Sequence, residues 1–112
     1  MTALAQARST LRKESDRYSL AVGATQKIFQ GALVCRNATG YAVKGSASTT
    51  LKALGMAEVL ADNTSGADGA ITVAYRSGCF KWANSAAGDL ITTADIGNDC
   101  YIVDDQTVAK TN

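Results

Sequence analysis

Apolar and polar residues alternate along most of this chain in short runs, and those runs predict strands. The opening stretch is different: Leu4, Leu11 and Tyr18 recur every seven residues within a polar, charged background. So thin a stripe does not hold a helix alone, which predicts an extended arm over residues 1–24 that orders against a partner. From Lys27 the texture changes. Ile28, Gln30, Ala32 and Val34 alternate with Phe29, Gly31, Leu33 and Cys35, a run typical of a strand covered on both faces. Residues 37–40 read as a turn and residues 40–44 as the returning strand.

After a polar loop at residues 45–50, the spacing of Leu51, Leu54, Met56, Val59 and Leu60 would also suit a short helix. Gly55 at its centre and the strand-like neighbours favour a strand. Residues 63–69, NTSGADG, form a dense turn signal, and Ile71, Val73 and Tyr75 then alternate cleanly with Thr72, Ala74 and Arg76. Ser77 and Gly78 can close a hairpin into a strand over residues 79–83. Further strand starts are expected at Leu90-Ile91-Thr92, at Cys100-Tyr101-Ile102-Val103 and over residues 106–111. Such short strands between Gly, Asn and Asp turns predict an all-β fold, a small jelly-roll-like sandwich or barrel with an extended N-terminal arm. The expected division is an arm at residues 1–24 and a β-sandwich or barrel domain at residues 25–112. A parallel α/β arrangement is excluded.

Length and composition narrow this picture. The 112 residues suit one core, and 46% apolar content with 19% charge is that of a globular chain. There is no proline, a residue that blunts sheet edges, so the edges are expected to be open to pairing with other chains. The net charge of +1 gives no broad positive field for nucleic acid or an anionic membrane. Charge is nonetheless unevenly placed. Arg8, Arg12, Lys13 and Arg17 outnumber Glu14 and Asp16 near the start, whereas Asp89, Asp95, Asp99, Asp104 and Asp105 lie in a stretch without Lys or Arg. A basic arm and an acidic end region can meet between neighbouring copies; two solvated surfaces are the plainer alternative. Cys35, Cys79 and Cys100 are an odd set without a C-x-x-C pair, which predicts three small buried hydrophobes and folding in a reducing compartment. Neither a secretory signal nor a membrane-spanning run is read in the sequence.

The sequence offers little for catalysis. Without histidine it lacks the commonest general base and zinc ligand. Lys81 lies two residues from Cys79 but is a weak activator, and residues 66–69 match neither a P-loop nor a dinucleotide fingerprint. Asp99, Asp104 and Asp105 depart from calcium-loop spacing and read as solvated turn carboxylates. The Asn37-Ala38-Thr39 sequon is too short to carry weight. No catalytic, cofactor or metal residue is therefore assigned. Phe80-Lys81-Trp82 combines aromatics with a cation, as single-strand nucleic-acid binders do, although core or protein contact is the commoner use. Trp82 is the preferred interface anchor.

Several segments together resemble tailed-phage capsid cement, or head-decoration, proteins. They are the opening Lys27-Ile28-Phe29-Gln30-Gly31-Ala32-Leu33-Val34, then Leu54-Gly55-Met56-Ala57-Glu58, Gly69-Ala70-Ile71-Thr72-Val73 and Gly88-Asp89-Leu90-Ile91. The last runs from Gly97-Asn98-Asp99-Cys100 through Tyr101-Ile102-Val103 to Asp104-Asp105-Gln106-Thr107-Val108. The resemblance implies a virion protein without catalytic residues or cofactor, folded in the host cytoplasm and bound outside the shell across joints between major capsid protein subunits. A homodimer is expected, with Arg8, Arg12, Lys13, Arg17, Tyr18, Phe80 and Trp82 as protein-interface residues. Membrane, nucleic-acid and small-molecule partners are not expected. Another virion part, a tail-tube or head-completion ring protein, is the structural alternative. An OB-like nucleic-acid binder using Trp82, Phe80 and the basic arm is the alternative of a different class.

Overall fold

The computed structural model describes residues 2–11 and 16–111. Among these, the strands in chain order are β1 (Arg17–Ala21), β2 (Lys27–Ile28), β3 (Leu33–Arg36), β4 (Ala42–Lys44), β5 (Lys52–Ala57), β6 (Ala61–Asp62), β7 (Thr72–Arg76), β8 (Ala83–Asn84), β9 (Tyr101–Ile102) and β10 (Thr107–Ala109). The expected all-β class is met. A five-stranded sheet runs β1-β7-β5-β3-β4, a three-stranded sheet runs β8-β10-β9, and β2 and β6 form a separate two-stranded ribbon. Every pairing is antiparallel except the short β8–β10 contact.

Strand alternation places the core. Leu20 pairs with Val73 in the β1–β7 ladder, while the next position outward sets Ser19 against Ala74 and puts both on the other face. The inner face gathers Val22, Val34, Ala42, Ala57 and Val73, and the β2–β6 ribbon adds Ile28 and Ala61, which are register partners. The sheet curls so that its two outer strands meet beyond β1, where Val22 forms a parallel bridge to Ala42. Gly23 N–H donates to the Ala42 carbonyl there at 2.8 Å. One bridge joins the edges, and a closed barrel is not formed.

One strand serves two layers, and its neighbour carries a bulge beside it. The β3–β5 register moves from Val34 opposite Gly55 to Cys35 opposite Ala53, leaving Leu54 as the extra residue. Val34 and Cys35 are consecutive yet both fully buried, and only Val34 belongs to the inner cluster. The C-terminal sheet lies by the other side of β3, where Leu33 N–H donates to the Asp105 carbonyl at 2.8 Å. Gly45 is caught in that contact: a Cβ there would stand 3.0 Å from the Asp104 carbonyl oxygen and 3.2 Å from Ile102 Cγ2. Gly55 is tighter still, since a Cβ would come within 2.1 Å of the Arg76 carbonyl oxygen.

Several expectations are corrected. The arm ends earlier than residue 24, because residues 17–21 form β1 and Val22 is buried in the core. The run at residues 27–35 is two strands in two sheets, divided at Gly31, whose φ of 86° turns the chain. No hairpin follows β7, since both of its edges are taken by β1 and β5. Residues 79–82 are consequently outside any strand. Two 3-10 turns, Ala87–Asp89 and Thr93–Asp95, occupy the region expected to begin a strand at Leu90. The Asn84 side chain fills the place of a strand neighbour, donating to the Ile91 carbonyl at 2.9 Å and accepting its N–H at 3.0 Å. Cys79 and Cys100 are exposed, and only Cys35 is the buried hydrophobe expected of all three.

Asn63 is the one buried polar residue of the core, among the described residues. Its amide donates to the carbonyls of Gly23 at 2.9 Å, Ala67 at 3.0 Å and Val22 at 3.4 Å. Asn63→Ala leaves carbonyls unpaired in a buried place, and urea unfolding is expected to register a loss of about 2 kcal/mol. Burial pushes the Cys35 thiol up to about 11. Between its ordinary value of 9.0 and that value the unfolded chain gives up a proton that the folded chain keeps, so this group lowers stability as pH rises through the interval. A thiol reagent at neutral pH should modify Cys79 and Cys100 promptly and Cys35 only on unfolding.

Candidate protein-interaction surface

Residues 2–11 carry no helix or strand, and each of them is exposed. Leu4 is 70% and Leu11 96% exposed, which leaves the apolar stripe of the arm uncovered. Arg8 lies within this segment, and Arg12 and Lys13 fall outside the described residues. Arg17 and Tyr18 do not belong to the arm. Both stand on β1, and alternation sends them to opposite faces of the sheet.

On the outer face Arg17 is the register partner of Arg76, so two cations sit side by side. Glu58 relieves their repulsion: its Oε1 lies 3.0 Å from Arg76 Nε and 3.4 Å from Arg17 Nε. Asp16 Oδ2 adds a second carboxylate 3.7 Å from Arg76 Nε. The Arg76 Nε–H is not aimed at either acceptor, so its contacts with Glu58 and Asp16 are ionic. The cluster borders a shallow depression lined also by Gln30, Gly31, Met56 and Val59. On the inner face the Tyr18 ring stacks on Tyr75 with centroids 5.7 Å apart.

Phe80 and Trp82 come together as a separate pair. Their rings meet edge to face with centroids 6.0 Å apart; both are half-buried and line a depression with Leu33, Ala53, Leu54 and Gly55. Neither residue lies in a strand. Lys81 is exposed beside them.

Three large apolar residues went unassigned in the sequence. Phe29 follows β2 while Val59 and Leu60 precede β6, so all three leave the antiparallel ribbon at one end. They are 55%, 52% and 54% exposed. Lys27 Nζ lies 5.2 Å from the centre of the Phe29 ring. A second depression beside this tip is lined by Phe29, Gln30, Gly31, Ala32, Asp105 and Gln106. The signal in the sequence was Gly31, a turn residue that breaks the alternation just after Phe29.

The carboxylates of the turns are occupied locally. Asp62 accepts from the Thr64 hydroxyl at 2.6 Å and its N–H at 3.1 Å, which holds its pKa below the ordinary value. Asp104 is lowered chiefly by the Gln106 N–H at 2.9 Å. Among the described residues no group of three or more Cys, Asp or Glu side chains is placed to hold a metal ion, and no helix is long and apolar enough to cross a membrane.

No family model matches this chain, and no curated protein or solved structure is found to be similar to it.

Glu58→Gln removes the carboxylate shared by Arg17 and Arg76 and leaves the facing cations under-compensated. With these side chains partly open to water, a loss of about 1 kcal/mol is expected in urea unfolding. The difference from the parent chain should shrink as ionic strength rises.

Proposed function

We propose that this chain is a structural virion protein that binds the outside of a phage capsid and clamps neighbouring major capsid subunits. The observation that carries the reading is a layered β body bearing an exposed N-terminal segment, residues 2–11, with Leu4 and Leu11 uncovered. A shell repeats one joint many times. A protein that touches two subunits at once makes its second contact effectively intramolecular, so modest contacts add to strong retention. An extended segment suits that task because it covers a wide surface and orders only on binding. The half-buried Phe80–Trp82 pair supplies a second contact element, aromatic anchors being common at the centres of interfaces. On this reading the chain has no catalytic role, acts as a homodimer and ends on the capsid exterior.

Sedimentation with purified phage capsids tests the proposal, with single-stranded DNA as the parallel sample. Stoichiometric pelleting with capsids that persists at moderate salt is expected, without DNA binding. Removing residues 2–11 should weaken capsid binding roughly a hundredfold, the scale of a lost second contact. Salt-sensitive DNA binding with no capsid binding would overturn the reading.

A further inference from the structure

The body and the N-terminal segment each leave one half of a match uncovered. On the body, the depression beside the ribbon tip joins an apolar wall, Phe29, to an acidic one, Asp105. The Leu60 and Val59 side chains extend the apolar surface at the same end of the ribbon. Asp105 comes from the stretch between Asp89 and Asp105 that holds five aspartates and no Lys or Arg. On the segment, Leu11 is exposed and is followed in sequence by Arg12 and Lys13. A large apolar residue adjoining two cations is the complement of an aromatic wall adjoining a carboxylate. In the single chain neither is covered: Leu11 remains 96% exposed and Phe29 55%.

We infer that the segment around Leu11 docks in the Phe29–Asp105 depression of a second copy of this chain, and that two copies exchange segments reciprocally. Reciprocal exchange satisfies both segments and both depressions under one two-fold axis, giving a closed dimer and not an open chain of molecules. Leu11 lies five residue steps before Asp16 at the start of the body, a reach of about 17 Å when extended. Apolar burial supplies the affinity, while the Arg12 and Lys13 charges facing Asp105 set the direction of the segment and speed encounter.

This inference does not depend on capsid binding, since it concerns the purified chain alone. Analytical ultracentrifugation over a concentration series should find the full chain as a dimer. A variant lacking residues 2–13 and the variant Phe29→Ser should each be monomers at the same concentrations. Each loses an anchor expected to raise the dimer dissociation constant at least about thirtyfold. Residues 2–11 and Phe29 are exposed, and circular dichroism should match the parent. An equimolar mixture of the two variants is the decisive sample: one brings an intact segment and the other an intact depression, so a one-armed heterodimer should form where neither variant pairs alone. Asp105→Lys should weaken the dimer, and the added change of Arg12 and Lys13 to Glu should restore it. A full chain that is monomeric throughout, a dimer that survives removal of residues 2–13, or a mixture that stays monomeric would overturn the inference. Capsid sedimentation is read separately: a monomeric chain that still pellets with capsids overturns the segment exchange and the homodimer but not capsid binding, and a dimer that does not pellet overturns capsid binding alone.

Discussion

The Asn63 amide holds together the place where this fold closes. It reaches from the turn after β6 to the carbonyls of Val22 and Gly23, beyond β1, and to Ala67 within its own loop. Val22 and Gly23 are also the residues that meet Ala42, so the amide fixes the one point at which the outer strands of the curled sheet touch. Gly66 follows from the same contact: a Cβ at that position would lie 1.9 Å from Asn63 Oδ1. A buried amide with its donors placed on carbonyls specifies one arrangement of loop and strands, whereas apolar contacts of the same volume tolerate several.

With that closure fixed, β3 serves two layers. Strand alternation points Val34 to the inner cluster and Cys35 to the opposite side, and both are fully buried, so β3 belongs to both. The C-terminal sheet, whose strands are two or three residues long, is too small to be stable alone and depends on that second side of β3. Phe80 and Trp82 sit at the same junction. Their pairing is made outside any strand.

The molecule places its exposed apolar and charged groups at its margins. Paired arginines with a shared glutamate lie on the outer face of β1 and β7, an apolar tip projects from the ribbon, and the N-terminal segment carries leucines with no body of their own to cover them. The N-terminal segment and the ribbon tip thus both set exposed apolar side chains beside a layered β body.

The all-β class, the strands β5, β7 and β10 and the turns around Asn37 and Asn63 were legible in the sequence because period-two alternation and turn chemistry are local properties. Asn37 bears this out, its Oδ1 accepting from the N–H groups of Thr39 and Tyr41 within its own turn. The extent of the arm, the fate of residues 79–92 and the exposure of Cys79 and Cys100 were not legible. Whether residues 17–21 form a strand depends on β7, more than fifty residues away, offering a free edge. Whether residues 79–83 form a hairpin depends on that same edge already being taken. The sequence by itself determined which segments can be strands and which residues can turn. Only the tertiary structure decided which strands find partners, and with them which apolar residues remain outside, because a strand's hydrogen bonds and one of its faces are satisfied by chain that is distant in sequence.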